Sequence, residues 1–408
     1  MPHLVMKFGG TSVDGLDRIR GAAARVKAEV DNGYDTIVVV SAMAGRTNEL
    51  AAAAQSVTPL MDAREYDAVV ANGENVTAGM MALAIQELGV PARSWQGWQV
   101  PVHTNSTHGA AKITAIGTDA INGKFAEGMK AAVVAGFQGV SAEQRVSTLG
   151  RGGSDTTAVA FAAAFGAERC DIFTDVDGVY TADPRLVRDA RKLERISYEE
   201  MLELASLGAK VLQTRSVELA MRNKVRLCVR SSFTDAPGTI LCDEEEIMEA
   251  NTVSGVAHSR DEAKVTILSV ADRPGVAAAV FGPLAEAGVN VDMIVQNISE
   301  SGRTDITFSC PVEDVGRAGE LLNGIKTSGE VNFRSLRLDT DVCKISVVGI
   351  GMRSQSGVAA RMFEALAKYG INIQVIATSE IKISVLVARR FMELGVQALH
   401  DAFDPKGV

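Results

Sequence analysis

Three segments of this sequence carry side chains able to handle an anion. The first, Lys7 to Ser12 (KFGGTS), sets a lysine ahead of two adjacent glycines at the end of the apolar run Leu4 to Met6. Lacking Cβ atoms, Gly9 and Gly10 let backbone N–H groups approach phosphate oxygens, and Lys7 supplies a mobile cation. A plain tight turn joining a strand to a helix would use the same residues. The second, Thr148 to Ala162 (TLGRGGSDTTAVAFA), places Arg151, Ser154 and Asp155 among glycines just before a helical run. Arg151 can grip a carboxylate through two parallel hydrogen bonds, and Asp155 can hold an ammonium or orient a transferring group. A capping serine or aspartate after a loop is the plainer reading. The third is Phe173 to Arg185 (FTDVDGVYTADPR), where Thr174, Asp175, Tyr180 and Arg185 suit nucleotide hydrogen bonding at a strand end. Its plainer reading is a polar turn. Asp175, Asp177 and Asp183 flank Gly178, but the ligand spacing and bidentate glutamate of a calcium loop are missing.

Familiar phosphate motifs fail on spacing. Gly117 to Lys124 has one residue too many for a P-loop and ends in Phe125 in place of Ser or Thr. Neither a protein-kinase motif set nor a dinucleotide fingerprint after the first strand is present. The five cysteines are scattered singly, which suggests neither a zinc site nor a disulfide framework. His103 and His108 lie in a Pro/Asn/Thr/Gly-rich stretch and read as loop residues, not metal ligands. A net charge of -9 argues against nucleic acid or an anionic membrane surface as main partner. Apolar runs such as TIVVVSAMA fall short of the roughly 20 residues needed to cross a bilayer. With no signal-peptide h-region, the expected location is the cytoplasm.

These segments need a scaffold, and the first 242 residues supply one. LVMKF, TIVVVSA, AAVVAGF, CDIFTDV and VRLCVRSS read as buried strands, alternating with helical patterns such as GLDRIRGAAARVKAEV. The expectation is a three-layer α/β sandwich with a mainly parallel sheet over residues 1–242. An acidic linker, 243–251, follows. Beyond it lies an internal repeat: Gly275 to Ile294 (GVAAAVFGPLAEAGVNVDMI) aligns without gaps to Gly357 to Ile376 (GVAARMFEALAKYGINIQVI). The first copy, 262–340, reads βαββαβ, as in a ferredoxin-like module. The second ends at its helix, so Thr252 to Ser259 is expected to complete it, giving a discontinuous module of 252–261 plus 341–408.

In this order KFGGTS, VVVSAMAGRTN, NGENVTAG, TLGRGGSDTTAVA, FTDVDGVYTADPR, ELASLGAKVLQTRSVELA and VRSSF resemble the aspartokinases of the amino acid kinase family, and the repeats resemble their paired ACT modules. The resemblance covers essentially the whole chain. It implies transfer of the ATP γ-phosphoryl group to the side-chain carboxylate of L-aspartate, the first step toward lysine, threonine and methionine. By this resemblance Lys7 and Asp155 are catalytic, while Ser41, Thr47, Glu74, Arg151 and Ser154 line the aspartate side. Lys7, Phe8, Gly9, Gly10, Thr174, Asp175, Tyr180, Asp183, Arg185 and Lys210 would hold ATP. Mg²⁺ would be bound through nucleotide phosphates and water, with no protein metal site.

The same resemblance implies feedback inhibition by lysine, threonine or both. Asp272, Gly275, Ala277, Asn290, Asp292, Gln296 and Ser299 would bind effector in the first copy, and Asn372, Ile373, Ser379 and Glu380 in the second. A homo-oligomer, or a heterotetramer with a regulatory half initiated near Met248, is expected. Two departures stand out: Asn72 and Asn75 flank the Glu74 motif, and Gln355, Ser356 and Ala359 replace the usual residues of the second copy. Alternatives are another kinase of the superfamily, acting on acetylglutamate, glutamate or uridylate, and a non-catalytic amino-acid sensor.

Overall fold

The computed structural model describes residues 1–208, 211–247, 252–297 and 302–403. The chain divides into two compact units. The first comprises Met1–Val179, Lys192–Ala205 and Lys210–Met248. Its main sheet has eight strands, and His3–Phe8 lies near its centre between Asp35–Val40 and Arg169–Thr174. Both neighbours run parallel to it. The chain leaves His3–Phe8 for one side of the sheet, through Asp35–Val40 to Ala131–Ala135, and later returns to Arg169–Thr174 on the other. A crevice at the carboxyl ends of these strands is the usual ligand site of such a sheet.

Strand alternation assigns the faces. Leu4, Met6 and Phe8 bury into one core with the helices Leu16–Asp31 and Asn72–Glu87. Lys7 belongs to the opposite set, where the helix Gly153–Phe165 packs over the central strands. Periodicity therefore puts the lysine under the helix that begins with the second glycine-rich segment. The helices Ala63–Val70 and Asn72–Glu87 join into a 25-residue run that is long and apolar enough to cross a membrane, a length not anticipated from the sequence. Half of its most apolar window is buried within the protein.

The second unit comprises Tyr180–Arg191, Ser206–Ala209 and Glu249–Val408. Its six-stranded sheet is built around two long antiparallel strands, Gly255–Ala271 and Ser335–Val348. The later half of the first strand and the earlier half of the second serve the first repeat. Conversely, Gly255–Ser259 pairs with Lys344–Val348 of the second repeat. The two repeats thus share one sheet instead of closing into separate ones, because each long strand runs through both. The sheet also curls. Met293 of one edge strand, Asp292–Gln296, packs with Val375 of the other, Val375–Thr378.

Tyr180–Arg191 lies inside the span expected to form one domain, 1–242, yet it packs in the second unit. Ala182 and Val187 bury in that unit's apolar core beside Val256 and Val347. Thr181 O accepts a hydrogen bond from Val256 N at 2.8 Å, and Thr181 Oγ1 bonds His400 Nε2 at 2.9 Å.

Candidate active site

A cleft of about 350 Å³ opens at the carboxyl edge of the first unit's sheet. It gathers Lys7, Gly10, Ser41, Thr47, Glu74, Arg151, Ser154 and Asp155, residues drawn from four separate parts of the sequence. At its floor Lys7 Nζ lies 2.6 Å from Asp155 Oδ1, and both side chains are largely buried. The contact is ionic, since this oxygen has no partner in hydrogen-bonding geometry. Asp155 occupies the first turn of Gly153–Phe165, so the helix N-terminus adds positive potential beside it.

The glycines after Lys7 lead first into a short 3₁₀ turn, Gly10–Val13, and the long helix starts only at Leu16. The helix N-termini at this cleft are therefore not that of Leu16–Asp31 but those of Gly153–Phe165, Arg46–Val57 and Asn72–Glu87, whose first turns supply lining residues. Gly9 N donates to Phe173 O at 3.2 Å, which ties the loop to the neighbouring strand. A Cβ on Gly10 would lie 2.8 Å from Ala42 O, so no larger residue fits without moving that backbone. Phe8 is fully buried and stacks on Phe173 at 4.7 Å between ring centroids, and its carbonyl accepts from Ser41 N.

Glu74 is only 3% exposed although it lines the cleft. Its Oε1 accepts from Ala42 N at 3.1 Å, whereas Oε2 has no hydrogen-bond partner. Burial pushes its pKa up to about 7, against the lowering effect of the Ala42 and Glu74 backbone N–H groups. A half-satisfied buried carboxylate is an acceptor prepared for a cationic ligand. Asn72 donates to Ala68 O, and Asn75 accepts from Gln138, so both departures from the family pattern fill structural hydrogen bonds. Arg151 stands exposed at the tip of its turn.

Thr174 ends the strand Arg169–Thr174 in the first unit and Asp175 follows it, the two side chains bonded to each other at 3.1 Å. Tyr180, Asp183 and Arg185 lie in the second unit, where the Arg185 guanidinium meets both oxygens of Asp183. Lys210 and Ser299 fall outside the described residues, as does Met248. Of the effector positions, Asp272 and Gly275 are exposed before the helix Val276–Glu286, Ala277 in its first turn, Asn290 just ahead of the first edge strand, and Asp292 and Gln296 at its two ends. Asn372, exposed, and Ile373, half-buried, precede the other edge strand; Ser379 and Glu380 follow it and are exposed. Asp292 is engaged by Lys344 Nζ at 2.9 Å. His108, read as a loop residue, bonds the buried Asp67 at 2.8 Å. Sequence reasoning passed over Asp67, and its only signal was an acid on the buried side of an apolar helix, one turn before Val70.

The amino acid kinase family model matches residues 3–231, and ACT domain models match 264–327 and 345–403. An aspartate kinase of Stutzerimonas stutzeri is 51% identical over 405 residues, 99% of this chain and 98% of that protein. This chain belongs to the amino acid kinase family, in its aspartokinase branch. Among solved structures, E. coli aspartokinase III in complex with aspartate and ADP (R-state) superposes with a TM-score of 0.82 at 26% identity, covering 98% of this chain and 100% of that one. The same enzyme in complex with lysine and aspartate (T-state) gives 0.78 at 26% identity, over 98% and 99%.

Proposed function

We propose that this chain transfers the γ-phosphoryl group of ATP to the side-chain carboxylate of L-aspartate, giving 4-phospho-L-aspartate and ADP. What carries the reading is one cleft holding Lys7, Glu74, Arg151 and Asp155 together, on a chain related over its full length to aspartate kinases. A carboxylate oxygen forms the new bond to phosphorus as the bond to the ADP oxygen breaks. Such a transfer needs alignment and charge neutralisation more than covalent help from the protein. Glu74, through its unpartnered oxygen, would take the substrate ammonium and Arg151 the α-carboxylate, with Ser41, Thr47 and Ser154 lining the pocket. Lys7 would neutralise the transferring group, with Asp155 holding its ammonium in place. On the nucleotide side the reading rests on Gly9, Gly10, Thr174 and Asp175. Mg²⁺ would travel with the nucleotide, held through its phosphates and retained water.

The second unit would bind lysine, threonine or both at its two edge strands and lower activity, as the lysine complex of the E. coli relative supports. Residues 252–261 would belong to the second regulatory module, a reading supported by the pairing of Gly255–Ser259 with Lys344–Val348. Exposed Ile294 and Ile376 on those edges favour self-association, either of full chains or with a regulatory half started near Met248.

Hydroxylamine trapping tests the activity. With ATP and a panel of aspartate, glutamate and N-acetylglutamate, an acyl hydroxamate should form from aspartate alone. Product from another acid would point to a sibling kinase, and none from any acid to a sensor. Titrating lysine and threonine, separately and together, tests the regulation; indifference to millimolar amounts of both would remove it.

A further inference from the structure

Asp67 is fully buried and saturated with donors. Its carboxylate accepts from Thr148 N at 3.0 Å, Thr148 Oγ1 at 2.5 Å, Gly109 N at 3.1 Å and His108 Nδ1 at 2.8 Å. Thr148 begins the segment that carries Arg151. On the other side of that segment, Arg215 spans two carbonyls, donating to Leu149 O and Ala111 O at 2.7 Å each. The Arg151 turn itself is flanked by Gly150 and Gly152, both left-handed with φ of 75° and 72°. A turn made of such permissive residues has little stiffness of its own, so its geometry must come from neighbours.

We infer that Asp67 and Arg215 are positioning residues that fix Arg151 for the substrate's α-carboxylate. This rests on the aspartate kinase reading given above. Asp67 and Glu74 stand seven residues apart on one helical run, with Ala71 N bonded to Asp67 O across the junction of its two helices. Residues at that spacing share a helix face. One rigid rod therefore sets both ends of the acceptor site, touching the ammonium through Glu74 and placing the carboxylate clamp through Asp67. The spacing between the two charge contacts, which selects for an α-amino acid, is then a property of the helix and not of the glycine turn.

The test uses the full-length enzyme and two competitive ligands, succinate, which lacks the ammonium, and β-alanine, which lacks the α-carboxylate. In D67N, and independently in R215K should D67N fold poorly, the aspartate KM and the succinate Ki should rise roughly 10- to 100-fold, as misplacement by about 1 Å would give. The β-alanine Ki and the ATP KM should stay within about twofold. An R151A/D67N double variant should bind succinate no worse than R151A alone. Equal weakening of succinate and β-alanine would reduce Asp67 to a general structural role and overturn the inference. Should R151A itself leave the succinate Ki unchanged, the placing of Arg151 on the carboxylate fails instead, whatever D67N does.

Discussion

Replacing Glu74 by glutamine should make the protein more stable and the enzyme worse. Burial raises the Glu74 pKa from 4.5 to about 7. The unfolded chain releases this proton near pH 4.5 and the folded chain near 7, so between those values the folded state holds the extra proton and stability falls as pH rises. At about 1.36 kcal/mol per pH unit, the gap between 4.5 and about 7 costs the folded enzyme about 3 kcal/mol at pH 8 and nothing below pH 4. Glutamine keeps an acceptor for the Ala42 N–H and carries no charge. With the new amide donor left unmet, the net gain at pH 8 is about 2 kcal/mol, or roughly 5 °C in melting temperature. Losing the charge-assisted contact to the substrate ammonium should raise the aspartate KM roughly 10- to 100-fold, with the ATP KM nearly unchanged. In the unaltered enzyme the aspartate KM should likewise climb as pH falls below 7. Thermal melts of both proteins from pH 5 to 8, with KM measured at pH 8, decide the matter. A variant less stable than its parent at pH 8, or a stability difference that does not shrink toward pH 5, would refute the burial argument. An unchanged aspartate KM would refute the ammonium contact.

Lys7→Met should lower kcat roughly 10²- to 10³-fold, the size expected for removing a charge stabiliser of the transferring group, and steady-state kinetics on folded protein check it. Gly10→Ala should push its Cβ against Ala42 O, displace the N–H that holds Glu74, cost about 1–3 kcal/mol and raise the aspartate KM. In the second unit, desolvation works against the Lys344 ammonium, yet Glu262 at 2.6 Å and Asp292 at 2.9 Å hold its pKa above the usual lysine value. Lys344→Met should destabilise by about 3–5 kcal/mol in denaturant titrations by stranding the buried Glu262, and Glu262→Gln added to it should recover much of the loss.

The main strands and most of the helices are legible in the sequence, because each is written in residues adjacent along the chain. Apolar runs marked the parallel strands, and alternation alone put Lys7 on the opposite face from Met6 and Phe8. The repeat likewise announced two related modules. What depends on distant residues meeting is fixed only when the chain packs. Glu74 looks like an ordinary surface acid in NGENVTAG, and only the packing of its helix against the Ala42 loop buries it and lifts its pKa. Asp67 offers no motif at all, since its role comes from donors 41 to 81 residues away. Tyr180–Arg191 reads as a continuation of the strand Arg169–Thr174, yet Ala182 and Val187 find their apolar partners in the second unit. Local pattern shows which side of an element seeks burial, but not which distant surface will cover it; that is settled when the whole chain packs.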